Sequence, residues 1–270
     1  MEKVIGFYHK NRDILNLLVP FIFVYVLFNY LPLKHWIDEE WIYLTIKFCL
    51  YLVMSAIALI YKHKKDIEME RPYSEISFFY LIPLLIPCFA NLIYMLIREE
   101  GVDGRFEPIM LYDLIVDATG SVIEDLLFVD FMLVLLLQNL HTKYAKAISV
   151  VISGIFFMAA HCYSFLEFKP EVAALRLVFV ALLTMECGYL AIFFDSFLIP
   201  VSFHFLFNAI NYIIFDFFYY VEVSQIYYAF NFLIAIMASS YVIVLWHLSE
   251  LQHFRKRVTE KNAAEKPEDR

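Results

Sequence analysis

The sequence predicts an all-α, polytopic membrane protein: about eight transmembrane helices around a buried polar cavity. Three observations predict it. The chain of 270 residues is 62% apolar, with 28 Phe and 19 Tyr, against roughly half in an average soluble domain. That excess is too large for one soluble core to hide. Its apolar residues fall in runs of about 20, the length a helix needs to cross a bilayer. Between the runs lie short charged joints, and inside a few runs lie carboxylates, histidines and an asparagine that lipid would penalise.

The first run, ILNLLVPFIFVYVLFNYLPL, follows Lys3, Lys10 and Arg12. It is longer than the apolar part of a signal peptide, and no small-residue cleavage site follows it, so it reads as a retained first span. Seven further runs cover about 42–61, 77–97, 118–140, 144–162, 172–194, 197–220 and 226–248. The fourth region is too long for one span when counted from Ile109, and its start, IMLYDLIVDA, reads as amphipathic and interfacial. Residues 1–250 thus form one transmembrane domain. The tail, 251–270, is charged and reads as disordered and cytoplasmic. Fifteen Lys and Arg fall on the side of the two termini and five on the other, with Lys47 left inside the second span. Both termini are therefore expected in the cytoplasm.

Composition also excludes classes. The net charge of −8 comes mostly from loops and ends, and no basic stripe with interleaved aromatics marks a nucleic-acid partner. Cys49, Cys88, Cys162 and Cys187 each lie in an apolar run without a C-x-x-C pair, and read as small buried side chains.

Polar residues at membrane depth carry the functional signal. EDLLFVD, from Glu124 to Asp130, holds three carboxylates in an apolar setting. FMAAH ends at His161. HFLFN runs from His204 to Asn208, with Asn211 beyond it. Glu186 stands alone in LLTMECGYL, and Asp113 and Asp117 read as interfacial. A single buried His or Asn is more often an interhelical hydrogen bonder than a catalyst. A carboxylate pair, two histidines and an asparagine in helical face register are harder to assign to packing alone. Residues four apart share a face, so His204 and Asn208 point the same way, and Phe157 lies under His161. One cavity holding Glu124, His161, His204 and Asn208 is the expected assembly.

Such a set suits peptide-bond hydrolysis. A Glu with a His can hold and deprotonate water, and a second His with an Asn amide can stabilise an oxyanion. This reading names no cofactor. The alternative is a zinc site on Glu124, His161 and His204 with an open water position. A proton-coupled transporter is a further alternative, because intramembrane Asp, Glu and His also build relays. So is a haem site with His161 and His204 as axial ligands.

In order and spacing, EDLLFV, FMAAH and HFLFN resemble the CAAX-prenyl endopeptidase and bacteriocin-processing (CPBP, or Abi) family of intramembrane proteases. That family carries E-E-x-x-x-R, F-x-x-x-H and H-x-x-x-N or H-x-x-x-D. The resemblance covers roughly 110–215. It implies that Glu124 activates water with His161 as partner, and that His204 and Asn208 stabilise the oxyanion. The family is often labelled a metalloprotease, although a metal-independent glutamate mechanism has also been proposed for it. The resemblance implies a peptide or membrane-protein substrate, lipidated in some relatives, and a place in a bacterial plasma membrane. Two positions depart from the pattern. Asp125 stands for the second glutamate, and Val129 stands where the family has arginine. The alternative implied is a catalytically impaired member acting as an immunity or scaffolding protein. With no cation in the motif, His161 is the expected counter-charge.

Overall fold

The computed structural model describes residues 2–30, 37, 39–65, 78–98, 108–194, 196–212 and 225–264. Among them there is no strand. Helix α1 spans Glu2–Tyr30 and α2 spans Glu40–Lys65. The third run is not a regular α-helix throughout. Phe78–Leu85 and Pro87–Phe89 are 3₁₀, and only Ala90–Arg98 (α3) is α-helical. Pro83 and Pro87 explain this, because proline removes a backbone donor and clashes with the preceding turn.

The fourth region is one helical stretch whose middle changes pitch. Helix α4 runs Pro108–Glu124, residues Asp125–Phe131 are π-helical, and α5 runs Met132–Leu137. IMLYDLIVDA is thus the start of this same helix. Asp117 is not simply interfacial: the Lys47 ammonium from α2 lies 3.4 Å from its carboxylate. Helices α6 (Ala145–Ala160), α7 (Ser164–Glu167), α8 (Pro170–Phe194) and α9 (Leu198–Tyr212) follow. Helix α10 runs Gln225–Ala264. Its backbone stays helical through much of the stretch expected to be disordered. Extending an existing helix needs no new nucleus, and Leu, Gln, Arg, Lys, Glu and Ala there are good helix formers. Asp216 lies outside the described residues.

Among the described residues, five helices are long and apolar enough to cross a membrane: those over Gly6–Tyr30, Glu40–Lys64, Ala145–Leu166, Pro170–Phe194 and Ala229–Leu248. The chain is an integral membrane protein. Helix α8 is the central one, with 61% of its span buried against 28% for the spans of α1 and α2. Val19, Phe23, Leu52 and Val53 instead face outward, as lipid-facing side chains do.

Small residues bring the central helices together. A methyl group on Gly154 would lie 2.8 Å from Met185 Cγ and 2.9 Å from the Ala181 carbonyl of α8. One on Gly188 would lie 3.3 Å from Val150 of α6. Close backbone approach through small residues is the usual means of membrane helix packing, since lipid removes the hydrophobic drive between helices. The π segment packs into this centre: every residue from Asp125 to Phe131 is buried. Ser153 of α6 donates a hydrogen bond to the Phe128 carbonyl inside it. A hydroxyl from a neighbouring helix is a common way to satisfy backbone where a membrane helix departs from α geometry.

Candidate functional site

The site is built around the junction between α4 and the π segment. Glu124 is the last α residue and Asp125 the first π residue. In an α-helix, successive side chains diverge by about 100°. The wider π turn advances less per residue, so the two carboxylates diverge less. Both reach one imidazole. His204 of α9 places Nδ1 3.1 Å from Asp125 Oδ1 and Nε2 3.8 Å from Glu124 Oε2. Asp125 and His204 are nearly fully buried, while the Glu124 side chain keeps 15% of its surface.

Glu124 is held from the other side by α1. The Tyr25 hydroxyl donates to Glu124 Oε1 at 2.5 Å. Tyr25 is itself 1% exposed and packs its ring against Phe128 and Tyr51. Oε1 is thus fixed and Oε2 faces His204. One turn beyond His204, the Asn208 amide donates to the Ser121 hydroxyl of α4 at 2.8 Å. An amide carries two N–H groups, so one remains for another acceptor.

His161 is placed differently from the sequence expectation. It caps the C-terminus of α6, and its Nδ1 lies 3.0 Å from the Phe157 carbonyl. Among the described residues it makes no hydrogen bond to Glu124. It belongs to the same neighbourhood through rings: 4.2 Å from Phe157 and 6.3 Å from Tyr25, centroid to centroid. Phe157 is in turn 6.4 Å from the His204 ring. The counter-charge partner beside Glu124 and Asp125 is therefore His204, not His161. The Phe157 carbonyl also accepts the His161 backbone N–H at 3.2 Å, so both the backbone and the ring of His161 are tied to the last turn of α6.

A zinc ion on Glu124, His161 and His204 needs three donors converging on one point. Glu124 and His204 approach each other, but His161 is engaged with the Phe157 carbonyl, and these three do not form such a group. Among the described residues, the donor atoms that do converge are those of Asp125, Cys187 and His204, all within 4.8 Å of one another and all buried.

The departures from the motif have visible environments. Val129 is 1% exposed and packs with Cys88, Leu133, Val150, Leu183 and Cys187. An arginine there would enter an apolar cluster. Asp130 is also fully buried and accepts a 2.5 Å hydrogen bond from Lys62 of α2. Glu186 accepts from Ser239 of α10 at 2.9 Å and stands apart from the His204 group. The side chain of Asn211 lies outside the described residues. Sequence reasoning missed Tyr25, Ser121, Lys62 and Cys187. Each is an ordinary residue type within or beside an apolar run, and its role depends on which helices meet.

The described helices thus bury a Glu–Asp–His group between two packed elements of a helical membrane protein. Residues 107–210, from just before α4 into α9, match the family described as Rce1-like, type II CAAX prenyl endopeptidase. The match covers the segment that holds EDLLFV, FMAAH and HFLFN and bears out their resemblance to a family of proteases. Comparison with curated proteins and with solved structures yields no match.

Proposed function

We propose that the chain is an intramembrane endopeptidase of the CPBP type that hydrolyses a peptide bond with a carboxylate-activated water. The observation that supports this most is the arrangement around Glu124. Oε1 is tied to Tyr25, and Oε2 faces His204 Nε2 across 3.8 Å. A water with ordinary hydrogen bonds of about 2.8 Å to each partner bridges such a gap in a bent geometry. Glu124 takes the proton of that water as it attacks the carbonyl carbon. The protonated His204 ring donates from Nδ1 to Asp125 and from Nε2 to the developing oxyanion. The free N–H of Asn208 is the second oxyanion donor. Glu124 then passes its proton to the leaving amine. His161, held by the Phe157 carbonyl and set against Tyr25, is a second proton carrier at the edge of the group.

The substrate class follows from the family and the setting: a peptide or membrane-protein segment, lipidated or bacteriocin-like, entering from the bilayer of a bacterial plasma membrane. Eight spans with cytoplasmic termini complete the proposed topology. Comparative peptidomics of cells carrying wild type or Glu124→Gln tests the reading. Peptides present only with wild type support it. Identical peptidomes, with the cellular role intact in the variant, favour the second reading: an immunity or scaffolding member that no longer cleaves. The lack of a cation at position 129 is the feature that favours that second reading.

A further inference from the structure

Asp125 and His204 belong to the water-activating reading, but Cys187, which lies beside them, belongs to none of the three motifs. The group of three joins a carboxylate from the π segment, a thiol from α8 and an imidazole from α9. Their donor atoms lie within 4.8 Å of one another, and the three residues are 2%, 0% and 5% exposed. A second observation points to a missing partner. Asp125 Oδ2 is buried without a hydrogen bond among the described residues. The Cys187 thiol has only a 4.0 Å contact to the Pro200 carbonyl as a described partner.

We infer that Asp125, Cys187 and His204 form a binding site for a zinc-class divalent cation. Three arguments carry it. The donor set of one thiolate, one imidazole and one carboxylate suits zinc, with a fourth position left open. The geometry of the carboxylate–imidazole edge suits it too. The 3.1 Å from Asp125 Oδ1 to His204 Nδ1, spanned by two metal bonds of about 2.0–2.1 Å, requires an angle of roughly 100° at the metal, near the tetrahedral value. Charge is the third. A dication, a thiolate, a carboxylate and a neutral imidazole sum to zero, the state that a low-dielectric interior penalises least. Binding releases the Cys187 thiol proton. It also leaves the remaining imidazole proton of His204 on Nε2, the nitrogen that faces Glu124.

This site differs from the Glu124, His161 and His204 set considered from the sequence. A bound cation takes His204 Nδ1 in place of the proton that Asp125 accepts in the proposed mechanism, so the test reads cation binding and not cleavage. The test is a cobalt titration of the purified full chain in lipid nanodiscs, read as thiolate-to-cobalt charge transfer in the near ultraviolet. One equivalent of cobalt is expected to produce the band. A Cys49→Ala, Cys88→Ala, Cys162→Ala triple variant, in which Cys187 is the remaining thiol, is expected to keep it. Cys187→Ser is expected to abolish it, and Asp125→Asn to weaken cobalt affinity at least tenfold. No band in wild type, or a band that survives in a monodisperse Cys187→Ser protein, overturns the site. So does loss of the band in a monodisperse triple variant.

Discussion

The two ends of the π segment each bury a carboxylate, and they neutralise it in opposite ways. At the first end, Asp125 faces the His204 imidazole, a group able to hold or give up a proton, while Glu124 beside it stays partly accessible. At the far end, Asp130 meets the Lys62 ammonium in a direct pair. A fixed ammonium balances a charge. A titratable imidazole between two carboxylates, next to a gap of 3.8 Å, is suited to move one. The same short segment therefore divides into an end suited to chemistry and an end suited to holding α2 against the π turn.

Substitutions at each end break this contrast in different observables. His204→Gln should lower the cleavage rate by roughly 10²–10³-fold, the usual loss for an oxyanion donor, with a small change in thermal stability because the Gln amide can still donate to Asp125. Rates in proteoliposomes together with Tm in detergent check it. Lys62→Met should do the reverse. Removing one member of a buried pair costs on the order of 3 kcal/mol, read as a lower Tm, and Lys62→Met with Asp130→Leu should recover most of it. Tyr25→Phe removes a hydrogen bond to a carboxylate worth about 1.5–3 kcal/mol. The expected result is kcat down by roughly ten- to a hundredfold, with the fold intact by circular dichroism. Ser121→Ala should have the smallest effect, a few-fold in rate, since a neutral hydrogen bond contributes about 1 kcal/mol and Asn208 keeps its place on α9. Equal losses of stability from the His204 and Lys62 substitutions would erase the distinction between the two ends.

Much of this was legible in the sequence, and the exceptions have physical causes. Runs of about 20 apolar residues located helices because a bilayer demands that length. The prolines at 83 and 87 turned one of them largely into 3₁₀, which a count of apolar residues does not register. The shared face of His204 and Asn208 was readable from their spacing of four, and the approach of Glu124 to His204 agrees with the expected cavity. That Asp125 also reaches His204 was not readable, because adjacent α-helical side chains diverge by about 100°. Nor was the placement of His161, because it lies after the last turn of α6, where a carbonyl of its own helix competes for it. The π turn was also hidden. It rests on packing against α6 and α8, including the Ser153 hydroxyl on the Phe128 carbonyl, rather than on a pattern in EDLLFVD. Tyr25 and Lys62 lie about 100 and 70 positions from their partners, and no local periodicity links such residues.

The most direct measurement is the cleavage rate of a substrate identified by peptidomics, compared between two variants reconstituted in the same bilayer. Glu124→Gln should fall by at least a hundredfold at unchanged stability. The Lys62→Met, Asp130→Leu double variant should cleave within a few-fold of wild type. A Glu124→Gln protein that cleaves at the wild-type rate would contradict the assignment of Glu124 as the group that activates water.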